Sequence, residues 1–205
     1  MSPARKILTI AFLFLVFSGA SLVLYFAILG SRPQVEFATV LPAPTPLPEF
    51  ALTDHTGNAF TRDSLSGGWN IVFFGFTRCP DICPATLQQL AIARRQLVEA
   101  GREFPRIVLI SVDPERDTPE AMASYVGNFG PGVTGVTGDL DELMKLTKSM
   151  GIFFAKSGDL EENYSVDHSA AVLIINPNGE WHALFSAPHT IEHFVHDMPT
   201  ITDSG

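Results

Sequence analysis

Residues 7–29 run for 23 positions without a charge, interrupted only by Thr9, Ser18, Gly19 and Ser21. Such a run predicts a membrane-spanning helix, because the roughly 30 Å hydrocarbon core of a bilayer takes about 20 residues at ~1.5 Å each. Arg5 and Lys6 precede it, whereas Arg32 and then Glu36 follow. The positive-inside bias therefore places the short N-terminus in the cytoplasm and everything after the run across the membrane. A cleaved signal peptide is the competing reading, with residues 7–17 as its apolar core and Ser18, Gly19 and Ala20 as the small-residue site. It would leave residues 22–29 as an apolar mature N-terminus, which a continuing helix accommodates better. Both readings export the body of the protein.

The run also accounts for a positive mean hydropathy of +0.20. Setting aside Arg5, Lys6 and Arg32 leaves 10 basic residues against all 22 acidic ones, or −12 over residues 33–205. An acidic body has no clustered cations to exchange for phosphate counterions, so nucleic acid is excluded as a partner. Pro33, Pro42, Pro44, Pro46 and Pro48 block a helix and favour extended backbone. The organisation expected is a membrane anchor over residues 1–32, a proline-rich tether over 33–48 and one soluble domain over 49–205. That domain is long enough for a single hydrophobic core without disulfide staples.

Within it the elements alternate. Residues 70–76 and 107–112 are short continuous apolar runs, as expected of strands buried on both faces. Residues 84–100 carry Leu87, Leu90, Ala91, Leu97 and Val98 at helical spacing and stop at Gly101. Thr118, Pro119 and Glu120 read as N-cap, first-turn proline and first-turn acid of a helix reaching about Phe129. A Gly-rich connection over 132–138 leads to an amphipathic helix over 139–150. Asn176, Pro177, Asn178 and Gly179 form a turn between strands 170–175 and 181–185, and residues 190–198 close the chain as a helix. A small entry hairpin is expected over 50–60. The order is that of an α/β, thioredoxin-like sheet.

Only two cysteines are present, Cys79 and Cys83, and they stand where the first buried strand hands over to its helix. Ligands of open α/β sheets bind beyond the carboxyl ends of strands, and a helix N-terminus stabilises thiolate. A purely structural disulfide is poorly placed, since so short a loop restricts little of the unfolded chain. Metal binding or dithiol–disulfide cycling remain. Cys-x3-Cys departs from the Cys-x2-Cys of thioredoxin-like redox motifs and leans toward a metal; two thiolates select Cu(I) or zinc, and with an imidazole they also hold Cu(II). Of six histidines, His168 opens the buried run from 170 onward on a loop able to approach the cysteines. His189, His193 and His196 share one face of the terminal helix and read as a solvated surface. His55 and His182 are expected to be exposed.

Phe74-Gly75-Phe76-Thr77-Arg78-Cys79-Pro80-Asp81-Ile82-Cys83-Pro84, Ser111-Val112-Asp113-Pro114-Glu115-Arg116-Asp117-Thr118-Pro119 and Val166-Asp167-His168-Ser169 closely resemble, in order and separation, the three signatures of the Sco/SenC family. The resemblance covers about residues 47–201 together with the anchor. It implies a thioredoxin-like copper protein, anchored by one transmembrane helix, that serves assembly of the dinuclear copper centre of cytochrome c oxidase. It further implies that Cys79, Cys83 and His168 bind one copper ion, as Cu(I) or Cu(II). Asp113 is a candidate hydrogen-bond acceptor for a metal ligand or a partner-docking carboxylate, and Asp117 is expected to cap the following turn. The expected partners are the copper-bearing oxidase subunit, other periplasmic copper chaperones and the membrane. The absence of a long Arg-rich presequence points to a bacterial inner membrane with the domain in the periplasm.

Delivery of copper by ligand exchange is one expected activity. The alternative is a thiol–disulfide oxidoreductase that reduces the acceptor's cysteines, with Cys79 and Cys83 as catalytic pair and as reversible disulfide. A thiol peroxidase fits poorly, because Thr77 precedes Cys79 by two positions rather than three.

Overall fold

The computed structural model of the chain describes residues 3–29, 34–158 and 164–203 and divides into two units, Met1–Gln34 and Val35–Gly205. The first contains helix α1 (Pro3–Leu29), 27 residues long. Side chains within α1 are described without a break only over residues 12–23. The expected span over 7–29 therefore lies partly outside the described residues, among which no helix is long and apolar enough to cross a membrane.

The second unit is built on β4 (Asn70–Gly75), every residue of which is buried. Its neighbour β5 (Arg106–Ser111) is parallel and in register, Asn70 opposite Arg106 and Gly75 opposite Ser111, and β6 (Val133–Gly138) continues the parallel run. Parallel neighbours require crossovers. These are α2 (Ile82–Glu99), which buries Leu87, Leu90, Ala93 and Leu97, and α3 (Pro119–Val126), capped as expected by Thr118, whose hydroxyl accepts the Ala121 N–H at 3.3 Å. On the other side of β4, β9 (Val172–Ile175) and β10 (Glu180–Phe185) run antiparallel as the expected hairpin. Strands β1 (Ala38–Pro46), β2 (Ala51–Asp54) and β3 (Ala59–Thr61) complete one sheet of order β1-β10-β9-β4-β5-β6-β2-β3. The α4 helix (Leu140–Ser149) is capped by Asp139, and α5 (Ile191–Asp203) ends the described chain. A separate two-stranded ribbon pairs β7 (Phe154–Ser157) with β8 (Ser165–His168).

Three departures from the sequence reading have physical causes. The prolines of the expected tether do keep the backbone extended, but residues 38–46 form an edge strand on β10, irregular between Val40 and Thr45, where Pro42 and Pro44 fall. An edge tolerates missing N–H donors. The Gly-rich connection is strand β6. A Cβ on Gly135 would lie 3.0 Å from Met122 Cβ, and one on Gly138 would lie 2.8 Å from Leu52 Cδ2, so these glycines mark close packing by α3 and β2. The terminal helix is less solvated than expected. His189 is buried with Nε2 2.6 Å from the Ala170 carbonyl oxygen, and His193 stacks on Phe37 at 4.3 Å. His55 and His182 are likewise half-buried, the first accepting the Gly135 N–H and the second packed edge-on to Trp69.

Asp197 holds the start of the unit to α5. Its fully buried carboxylate accepts the backbone N–H groups of Glu36, Phe37 and Ala38 at 3.0, 2.7 and 2.7 Å and lies 2.7 Å from His196 Nδ1. Although burial opposes the charge, these donors hold the Asp197 carboxyl below its ordinary range. Asp197→Ala would strand three N–H groups and is expected to cost roughly 3 kcal/mol in urea unfolding. Because the folded pKa is depressed, the carboxylate's contribution is present above the ordinary aspartate range and is lost as pH falls through the folded value. The gap between wild type and variant should therefore narrow in acid.

Candidate metal centre

Strand β4 ends at Gly75, and the chain turns through Thr77 and Cys79 into α2. Asp117 sets this turn. Its buried carboxylate accepts the Thr77 N–H at 3.0 Å, the Thr77 hydroxyl at 2.6 Å and the Ser111 hydroxyl at 2.7 Å, joining the cysteine loop to the end of β5. Thr118 caps α3, so the expectation that Asp117 caps the following turn is corrected: its acceptors face backward, to the loop that carries the cysteines.

Asp81 occupies the N-cap of α2 but makes no side-chain capping bond. The N–H of Cys83, in the first helical turn, is donated instead to Cys79 Sγ at 3.4 Å. A thiolate thus sits where a helix presents unpaired donors and the positive end of its dipole. Hydrogen bonding from the Cys83 thiol, with further donation from His168 and the Asp81 and Cys83 backbone, brings the Cys79 thiol down to about 4 despite its partial burial. Cys83 moves the other way, pushed up first by sharing its proton with Cys79 and then by full burial. The two cysteines are not joined in a disulfide.

Cys83 Sγ packs against the strand end itself. A Cβ on Gly75 would come within 2.9 Å of it, so only glycine admits the sulfur there. His168, the last residue of β8, brings Nε2 to 3.4 Å from Cys83 Sγ. Its Nδ1 lies 3.1 Å from the Ser169 carbonyl oxygen, so Nε2 is the ring nitrogen that faces the sulfurs. Phe73 and Phe76 meet the imidazole edge-on, each at 6.0 Å between ring centres. The ligand atoms of Cys79, Cys83 and His168 all lie within 4.8 Å of one another, the one such group of three among the described residues. A cleft of about 360 Å³, lined by Phe76, Pro80, Ile82 and Asp167 together with Cys79 and His168, opens beside them.

Two thiols and one imidazole in this space suit a soft or borderline metal ion, with a coordination position left for an incoming ligand. His189, His193 and His196 are not part of the group. Asp113 is not either: its buried carboxylate bonds Arg116 Nε and accepts the Tyr164 hydroxyl at 2.7 Å, which corrects the expectation that it is a hydrogen-bond acceptor for a ligand. The sequence alone carried no signal for Tyr164, Gly75 or Thr77 as supports, because their partners are far away along the chain.

The sequence model of the SCO1/SenC family matches residues 41–203. A Stutzerimonas stutzeri protein named for copper binding is 36% identical over 165 residues, covering 80% of this chain and 81% of that one. The mitochondrial SCO2 homolog of Bos taurus is 37% identical over 149 residues, 72% of this chain and 56% of its own length. The chain thus spans little more than half of that longer relative. Among solved structures, copper-bound Arabidopsis thaliana ScoI superposes with a TM-score of 0.73 at 32% identity, covering 78% of this chain and 99% of that one. Copper-bound Bradyrhizobium japonicum ScoI gives 0.66 at 33% identity over 76% and 98%.

Two outcomes test the geometry. In the metal-free protein at pH 6, iodoacetamide should modify Cys79 at least roughly ten times faster than Cys83, with the rate falling only as pH approaches the Cys79 value of about 4. Gly75→Ala should displace Cys83 Sγ and weaken binding of a soft metal ion by roughly 10–100-fold in a competition titration.

Proposed function

Because the chain belongs to the SCO1/SenC family, we propose that it carries copper as cargo on Cys79, Cys83 and His168 and delivers it to the copper-bearing subunit of cytochrome c oxidase during assembly of the dinuclear centre. The observation that carries this reading is the convergence of two sulfurs and one imidazole nitrogen within 4.8 Å at the mouth of a cleft. The copper-bound relatives support the choice of metal. Cys79, half-exposed and held as thiolate, is the ligand an acceptor reaches first. An incoming acceptor thiolate adds at the open position, and protonation of a departing ligand then releases the ion. Cys83 and His168, held between β4 and β8, keep the ion in place until that step.

We further propose that α1 anchors the protein in the bacterial inner membrane, N-terminus in the cytoplasm and domain in the periplasm. Phe12, Phe14, Leu15 and Phe17 of α1 are 68–79% exposed, an apolar surface that lipid would cover and water would not. The acidic domain would stand off anionic headgroups and favour a cationic or copper-bearing partner, including other periplasmic copper chaperones. Confinement to the membrane raises its effective concentration near a membrane-bound acceptor.

The asymmetry of the cysteine pair favours a second reading, reduction of the acceptor's own disulfide. The Cys79 thiolate attacks one acceptor sulfur and expels the other as thiolate, which takes up a proton. Cys83, whose pKa falls once Cys79 no longer shares its proton, then attacks Cys79, leaving a Cys79–Cys83 disulfide and an acceptor dithiol. His168 separates the two activities. Cys83→Ser and His168→Ala should each weaken copper binding by at least roughly 10-fold and remove sulfur charge-transfer intensity or histidine nitrogen coupling, respectively, from the Cu(II) spectra. Copper bound as tightly as in wild type by both variants would overturn the site. Full activity of His168→Ala in oxidase assembly would favour disulfide reduction over delivery.

A further inference from the structure

One of the three ligands rides on the only strand pair outside the eight-stranded sheet among the described residues. Strands β7 and β8 bond only to each other, and an isolated ribbon of two short strands is marginally stable in water. Something else must set where its last residue, His168, stands. At the His168 end the ribbon is closed by Ser169, whose N–H is donated to the Phe153 carbonyl at 2.9 Å and whose hydroxyl accepts the Phe153 N–H at 3.0 Å. These bonds close the ribbon on itself, and the chain then enters β9 of the main sheet after three residues.

The opposite end is held from outside. Tyr164, just before β8, donates its hydroxyl to Asp113 Oδ1 at 2.7 Å, and its carbonyl accepts Arg116 NH1 at 3.0 Å. The Arg116 guanidinium lies over the Tyr164 ring at 3.6 Å, while its Nε bonds the other oxygen of Asp113. Lys156 of β7 approaches the same ring at 4.6 Å and pairs with Glu115 at 2.6 Å. Both strands are therefore gripped by residues 113–116, which follow β5. Asp113 is buried and is itself tied to β5 through its N–H on the Ser111 hydroxyl. Ser111 in turn bonds Asp117, which sets the cysteine loop. One hydrogen-bonded chain runs from the cysteine side of the metal centre to the histidine side without touching a ligand.

We infer that Tyr164, acting through Asp113 and Arg116, is a positioning residue for His168: it fixes the ribbon so that the imidazole stays beside Cys83. This inference rests on the copper-site reading above. Ligands must be held within about 0.5 Å of productive geometry, and a ribbon held at one end only does not meet that demand. Freeing Tyr164 would loosen the imidazole against the two sulfurs, which α2 and β4 hold separately.

Tyr164→Phe tests this in the full chain, since it removes only the hydroxyl and keeps the ring between Arg116 and Lys156; Asp113→Asn is the second variant. In the metal-free protein, amide exchange at residues 165–168 should quicken roughly fivefold or more while exchange in β4 and β9 stays as in wild type. With Cu(II) added, histidine nitrogen coupling should weaken and copper affinity fall about 10-fold, with sulfur charge transfer retained. Unchanged ribbon exchange and unchanged nitrogen coupling would overturn the inference, as would equal acceleration in β4 and β9, which would make the role one of overall stability. If wild type itself shows no histidine coupling, the copper-site reading fails, and the metal-free exchange measurement still decides whether Tyr164 holds the ribbon.

Discussion

Asp117 is a carboxylate shut away from solvent, and the geometry of the metal centre begins with it. Buried there it needs hydrogen-bond partners, and Thr77 and Ser111 supply three donors; supplying them brings the loop after β4 against the end of β5. Once Thr77 is held, the four residues that follow have little freedom before α2 must begin. Cys79 arrives beside the unfilled donors at the head of that helix and Cys83 arrives against Gly75. The helix then does to the sulfurs what its open terminus does to any nearby anion, stabilising charge on the nearer one.

The two sulfurs consequently differ, although the sequence presents them as a symmetrical pair. Cys79 is half-exposed, with several donors turned to it. Cys83 is enclosed by strand and helix and keeps its proton. An exchanging ligand and a retaining one are what a carrier of copper needs, and an attacking and a resolving thiol are what a reductant needs. The same burial difference serves both, and His168 is the residue that tells them apart. His168 arrives by a different route, on a ribbon steadied by Tyr164 and Arg116, and the two halves of the site share one hydrogen-bonded support through Ser111.

Much of this could be read along the chain. Continuous apolar runs marked β4 and β5, helical spacing marked α2 and α4, and the turn residues 176–179 marked the hairpin of β9 and β10, because each signal is local and each element is buried in the way its pattern implies. Strand β6 was read as a connection because its glycines answer to Met122, Val126 and Leu52, neighbours absent from its own window of sequence. The edge strand β1 was read as a tether because prolines forbid a helix without saying whether an extended segment finds a partner; β10 happens to offer one. His189 looked like one of a solvated series until Ala170 and Phe194 closed over it.

Three motifs in the chain, through their resemblance to the Sco/SenC signatures, were enough to propose Cys79, Cys83 and His168 as the ligand set. What the chain could not express was relative position. Which sulfur holds the charge depends on a helix terminus and a glycine, and whether the imidazole reaches the sulfurs depends on a carboxylate, a tyrosine and an arginine that touch neither. Asp113 and Asp117 were visible as acids, but their work lies in contacts up to 51 residues away along the chain. Hydrogen bonds of that span exist only once the sheet has brought their ends together.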